Sequence, residues 1–277
     1  MKKISVCLLL AAMLLAVLAL SASAASAGEV TLEMLAEANS AEKLLENHQS
    51  YCFYNEYEGE SFGGTYTDSE LCYMHQADNA MIYANGQEGE LSDGAFVVRL
   101  YAGVQPDLEW TLGLVMTSPE EEVIEVVEEE EKLIVKTRSS LLAYGEEIEG
   151  GYCEYIYEVD PEQLFLLGGS YTSYTPEGVA SIYTTWHVEY DVERPAQAQE
   201  LLERVNPQQD YRTVTIVLDP GTENETVCLA RTCRGDYAEI HLGEEYSTLY
   251  SDAECTQPFA GGSDPSKDIT LYASKAE

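Results

Sequence analysis

Basic residues are scarce in this chain: 14 Lys and Arg stand against 50 Asp and Glu, a formal net charge of −36. Such a balance repels phosphate backbones and anionic bilayer surfaces, which excludes nucleic acid and electrostatic membrane docking as functions. Histidine is confined to His48, His75, His187 and His241. There is no Gly-x-Ser-x-Gly, no His-Glu-x-x-His, no phosphate-binding loop and no Gly-x-Gly-x-x-Gly, so the common hydrolase, metalloprotease, NTPase and dinucleotide signatures are absent. No Cys-x-x-Cys occurs, which excludes a zinc knuckle or a dithiol redox site of that type. Phenylalanine and tryptophan number five and two against 20 tyrosines. An aromatic surface built mostly from tyrosine has apolar ring faces and wet hydroxyl edges, as amphipathic strands require.

One long apolar run is present. "MKK" followed by "ISVCLLLAAMLLAVLAL" and "SASAASA" has the basic start, apolar core and small-x-small steps of a secretory signal, with cleavage expected after Ala24 or Ala27. Residues 1–27 are therefore expected to be a signal peptide and the remainder to be secreted, with no membrane span after cleavage. Cys7 lies at the start of the apolar core, whereas a lipid-modified cysteine would follow it. Six cysteines remain: Cys52, Cys72, Cys153, Cys228, Cys233 and Cys255. Export permits disulfides, and Cys52–Cys72 or Cys228–Cys233 are the local pairs available, with free buried thiols as the alternative.

Residues 31–48, "TLEMLAEANSAEKLLENH", have helical spacing interrupted near Asn39, with Ser40 placed to cap a second segment. Beyond His48 the chain reads mostly as strand and turn. "DLEWTLGLVM" sets Leu108, Trp110, Leu112, Leu114 and Met116 on one face of a half-buried strand. "VIEVVEEEEKLIVKTR" is expected to form two strands with glutamates at a solvated bend. "YCEYIYEV" puts Cys153, Tyr155, Tyr157 and Val159 on one face, and "VASIYTTWHVEYDV" does the same for Ala180, Ile182, Thr184, Trp186, Val188, Tyr190 and Val192. The links "DPEQ" and "TPEG" are too short for a parallel crossover, so these strands run antiparallel in chain order. Pro195 opens a short helix. The natural boundary falls at "NPQQD", dividing residues 28–206 from a small β segment, 207–277, and most of the acidic excess lies before it.

A helix, a long antiparallel meander and a closing helix, carried by "EEVIEVVEEEEKLIVKT", "YCEYIYEVDPEQLFLL" and "YTPEGVASIYTTWHVEYDV", resemble the half-barrel of the LolA and LppX type bacterial lipoprotein carriers. The resemblance implies an α+β, mainly β fold: an antiparallel curved sheet covered by helices, with an apolar concavity that in that family takes acyl chains. The family has no catalytic residues to transfer. The tail "LYSDAECTQPFAGGSDPSKDITLYAS" is similar to the closing half of a Listeria/Bacteroides repeat of the internalin B type. That likeness implies a small all-β, β-grasp-like domain used for extracellular interaction or as a spacer.

Pairings of Cys72 with His75 or Cys233 with His241 lack an oxyanion site or a third orienting group, so no catalytic role is expected for them. Arg234, Gly235 and Asp236 spell a cell-adhesion tripeptide but equally an ordinary turn. The chain is expected to be a non-enzymatic binding protein without cofactor or metal. An apolar or lipid-like ligand would lie against Leu108, Trp110, Leu112, Leu114, Tyr155, Tyr157, Ile182, Trp186 and Val188. The alternative is an extracellular protein-interaction module whose sheet interior is simply filled.

Overall fold

The structure, a computed structural model, describes residues 30–57, 60–104, 114–115, 121–129, 131–143, 146–261 and 264–275. Strand dominates. Among the described residues three helices, α1 (Leu32–Ala38), α2 (Ala41–Asn47) and α3 (Ala196–Val205), accompany fifteen strands. The chain divides into two compact units, residues 1–43 with 114–187 and residues 44–113 with 188–277.

In the first unit the strands β7 (Glu122–Glu128), β8 (Leu133–Ala143), β9 (Glu146–Val159), β10 (Leu166–Tyr174) and β11 (Ala180–Tyr190) lie side by side in the order β11-β10-β9-β8-β7. Every neighbouring pair is antiparallel, as the short links require. Burial follows the expected alternation. Cys153, Tyr157 and Val159 of β9 are buried, while Tyr152, Glu154, Ile156 and Glu158 are half-exposed. The helical stretch at the start breaks where the sequence suggests. Thr31 caps α1 by accepting the Met34 N–H at 3.2 Å, and Ser40 Oγ accepts the Lys43 N–H at 3.3 Å at the start of α2.

The break is anchored by Asn39, which is fully buried. Its Nδ2 donates to the carbonyls of Leu35 (2.8 Å) and Leu164 (2.9 Å), and its Oδ1 accepts the Leu166 N–H at 2.7 Å. Its own carbonyl accepts the Leu114 N–H at 2.9 Å. One side chain thus ties the end of α1 to the turn between β9 and β10, where Leu164 sits at a positive φ of 61°.

The second unit holds β1 (Ser50–Tyr57), β2 (Glu60–Asp68), β3 (Leu71–Gln76), β4 (Asn79–Ala84), β5 (Gln87–Ser92) and β6 (Ala95–Ala102) as an antiparallel meander. Its turns include Asn85-Gly86 and Asp93-Gly94, with both residues of each at positive φ, the two-residue hairpin geometry whose twist matches the strands. α3 places Ala198, Leu201 and Val205 on a core of Cys52, Tyr66, Tyr73, Ile82, Phe96 and Val98. The tail contributes β12 (Tyr211–Leu218), β13 (Thr226–Cys233), β14 (Tyr237–Leu242) and β15 (Ile269–Ala273).

Two features correct the expected fold. Among the described residues the covering helices of a half-barrel are not seen, and the sheets are open. α1 and α2 have seven residues and one buried residue each, Leu35 and Leu44. At 1.5 Å per residue such helices reach only ~10 Å, about half the width of five strands spaced ~4.8 Å apart. α3 seals one patch of its own unit. The tail strands, moreover, do not all join one sheet. β14 extends the meander by pairing in parallel with β6, while β12, β13 and β15 make a three-stranded sheet, β13-β12-β15, in which β12 and β15 are parallel. Val214, Ile216, Leu218 and Leu271 of that sheet pack with Leu100 and Ala102 of β6. Apolar burial on both β6 and β12 therefore draws the tail strands apart.

All six described cysteines are free thiols. Cys52 stands opposite Tyr66, whereas Cys72 stands opposite Thr67, so the two point to opposite faces of the sheet. Cys228 and Cys233 lie five residues apart in one extended strand, a separation of ~16 Å that a disulfide does not span. No helix among the described residues is long and apolar enough to cross a membrane.

Asn39→Ala removes three buried hydrogen bonds and is expected to cost about 2–4 kcal/mol, read as a lower urea midpoint. An unchanged midpoint contradicts the anchoring role.

Candidate functional site

The inward face of β9 is where the sequence-expected residues gather. Tyr155 stands opposite Thr137 of β8 and Tyr171 of β10, and Tyr157 opposite Val135 and Gly169. Gly169 in turn faces Trp186 of β11. Rings follow one another along this face: Tyr171 to Tyr155 at 5.0 Å between centroids, Tyr155 to Tyr157 at 6.1 Å, and Tyr157 to Trp186 at 6.2 Å. Tyr157 is 4 % exposed, while Tyr155, Tyr171 and Trp186 are half-buried and so remain accessible.

The row is continuous because of two backbone features. Gly169 carries no side chain, and a Cβ built there meets Trp186 Nε1 at 2.8 Å and Cε2 at 2.9 Å. The indole therefore lies over the glycine on its way toward Tyr157. A bulge between Leu166 and Gly168 shifts the β9–β10 register by one residue. Without it Tyr171 would oppose Glu154 on the outward side. With it Tyr171 turns inward, and Leu167 is left exposed.

The polar edges of the row are partly satisfied. Tyr157 donates its hydroxyl to Glu121 Oε1 at 3.1 Å, and Thr137 Oγ1 donates to the same oxygen. Cys153 Sγ and the Tyr171 hydroxyl share a hydrogen bond at 3.3 Å. Burial raises the Tyr155, Tyr157 and Tyr171 phenols above their ordinary value, with Glu121 adding to the effect at Tyr157 and Cys153 at Tyr171. The phenols stay neutral through the physiological range. The face thus presents flat apolar surface with hydroxyl rims and no phenolate for proton transfer.

Not every expected residue joins this face. Leu108, Trp110 and Leu112 lie outside the described residues. Leu114 is half-buried and donates its N–H to Asn39. Ile182 sits in β11 opposite Ser173. Val188 is buried and belongs to the second unit. Tyr171 was missing from the sequence-based set, because counting back from the turn without a bulge assigns it outward.

The second unit has a polar groove of about 920 Å³ lined by residues that include His48, Asp68, Asp191 and Arg194. Its charges are engaged with one another. Arg194 Nη2 pairs with Asp68 at 2.7 Å and Glu70 at 2.5 Å, His48 Nδ1 lies 3.1 Å from Asp191, and Asp191 accepts the Gln49 N–H at 2.7 Å. Ser50 donates its hydroxyl to the Val192 carbonyl at 2.7 Å. Cys72, which the sequence sets near His75, is pushed up to about 12 by burial and holds no reactive thiolate. The Arg234-Gly235-Asp236 turn is also tied down, since Asp236 pairs with Arg204 at 2.5 Å and Arg234 with Asp210 at 3.3 Å.

No family model matches the chain, and no curated protein matches it. Among solved structures it is similar to a LolA superfamily protein from Nitrosomonas europaea, with a TM-score of 0.27 and 5% identity over 61% of this chain and 96% of that one. It is likewise similar to MucB in complex with MucA(peri), with a TM-score of 0.26 and 13% identity over 74% of each chain. The LolA-type likeness thus returns among structural neighbours, at superpositions too loose to argue for a fold or an activity. The internalin-type likeness of the tail is not shown by these comparisons.

Gly169→Ala places a methyl against the indole and the Ile156 carbonyl. It is expected to cost about 1–3 kcal/mol and to shift Trp186 emission. An unperturbed spectrum and midpoint contradict the packing described.

Proposed function

We propose that this chain is an exported, non-enzymatic binding protein that takes an apolar or lipid-like ligand on the ring face of its first unit. The observation that supports this reading is the continuous row Tyr171–Tyr155–Tyr157–Trp186, three of whose rings keep accessible surface. Apolar surface of that kind gains about 25 cal/mol per Å² when a ligand covers it, before ordering costs. The raised phenols add neutral hydrogen-bonding groups at the rim, suited to an amphiphile's polar portion. The net charge of −36 disfavours anionic bilayers as the partner, so the ligand is a single molecule and not a membrane surface.

A second reading, an extracellular protein-interaction module, is favoured by one observation. β13 is an edge strand whose Val227 and Leu229 are 56 % and 55 % exposed on one face. An apolar edge is where a partner strand adds by main-chain hydrogen bonds.

The two readings separate in a titration with the neutral fluorescent probe N-phenyl-1-naphthylamine. Under the ligand-binding reading probe emission rises, and Tyr155→Asp lowers the probe's affinity about tenfold or more, since it puts a charge among the rings. No rise in emission, or equal affinity in Tyr155→Asp, contradicts binding on the ring face and leaves the interaction reading.

A further inference from the structure

β13 forms one edge of the three-stranded sheet, and the hydrogen bonds around it show which way its main chain points. Thr213 of β12 stands opposite Arg231 of β13. The Thr213 N–H turns away from β13 and donates to Asp268 Oδ1 at 2.8 Å. The Arg231 N–H and carbonyl turn away from β12 to the side-chain amide of Gln87, at 3.3 and 3.0 Å. Thr213 and Arg231 are therefore a pair that exchanges no ladder bonds. Main-chain direction alternates along a strand, so Leu229 and Val227 also turn their N–H and carbonyl groups outward from the sheet. Among the described residues no strand pairs with that side of them. Their side chains are more than half exposed.

The open stretch is bounded at both ends. Gln87 closes it at Arg231, and at the head of the strand the Glu225 N–H bonds back to the Thr222 carbonyl at 3.3 Å. Between them lie residues 226–230, whose middle is Cys228.

We infer that β13 pairs antiparallel with β13 of a second copy of this chain, about a two-fold axis at Cys228. This pairing rests on the edge-strand reading given above and gives it a partner. The two-fold sets Val227 of each copy opposite Leu229 of the other, as pairs that exchange N–H···O bonds, so every outward group on these residues is met. It sets Glu225 opposite Arg231 on the outer face that Val227 and Leu229 share, an opposite-charge cross-strand pair made twice. Thr226 falls opposite Ala230, so each strand ends where Gln87 of the other copy closes the slot. A centre at Val227 would instead put Leu229 opposite Glu225, and a centre at Leu229 would put Val227 opposite Arg231. The match of apolar to apolar and of acid to base holds for the centre at Cys228.

Cys228 then meets Cys228 of the second copy as a pair without ladder bonds, a class with Cα atoms about 4.5 Å apart. That falls within the span of roughly 4.4–6.8 Å that a disulfide bridges. Cys228 is a free, half-buried thiol, so its oxidation reports the register. Two chains of net charge −36 repel, but at physiological salt that repulsion is screened beyond about 8 Å. A pairing this short makes a weak dimer.

Sedimentation equilibrium of the reduced protein at physiological salt, carried to high protein concentration, tests the pairing. The wild type is expected to show a monomer–dimer equilibrium. Leu229→Lys, at an exposed position, is expected to weaken it about fivefold or more. Arg231→Glu is expected to weaken it about threefold or more, and Glu225→Arg added to that variant to restore it. Diamide, which takes up the two protons and two electrons released as the S–S bond forms, is expected to link the wild type through Cys228. Cys228→Ser is expected to abolish the link and leave the reduced equilibrium unchanged. A monomer at every concentration, an equilibrium indifferent to Leu229→Lys, or a link carried by another cysteine overturns the proposal, and the wild-type link decides the matter should a variant fail to fold. A different protein held by β13 while the chain alone stays monomeric contradicts the dimer and keeps the interaction reading, and the ring-face reading stands or falls separately.

Discussion

The first unit depends on how Asn39 spends its amide. A helix that ends in the interior exposes carbonyls that water cannot reach, and a turn such as that from Asp160 to Leu166 has orphan groups of its own. Asn39 answers both, donating to Leu35 and Leu164 and accepting from Leu166. The start of β10 is thereby held at a defined place. The bulge comes next along the strand, and from there the register carries Tyr171 and Gly169 to the inward side. The ring face is the downstream result of a polar anchor and an irregularity in pairing.

On the ring face the polar groups engage one another, and the remaining surface is apolar and partly open. Such an arrangement suits recognition mainly by shape and apolar area.

Much of the local structure was legible in the sequence. The helix break at Asn39, the cap at Ser40, the antiparallel order of β9, β10 and β11, and the alternation of Cys153, Tyr157 and Val159 come from spacing and turn chemistry. The buried role of Asn39 was not legible, since its partners are more than a hundred residues away. Tyr171 was missed because a bulge reverses the parity on which strand reading depends. The covering helices failed because periodicity shows which face is apolar and says little about how much sheet a seven-residue helix can reach. Nor does parity reveal that β14 leaves the tail to pair with β6: that pairing is a competition between edges, decided by which core each strand completes.

Whether the face of the first unit holds an apolar ligand is read by extracting the natively purified protein with organic solvent and analysing the extract by mass spectrometry. A lipid-like species is expected in near-stoichiometric amount and absent from a mock purification. Recovery of no such species, together with an experimental structure in which the protein's own side chains fill the space over Tyr155 and Trp186, would contradict it.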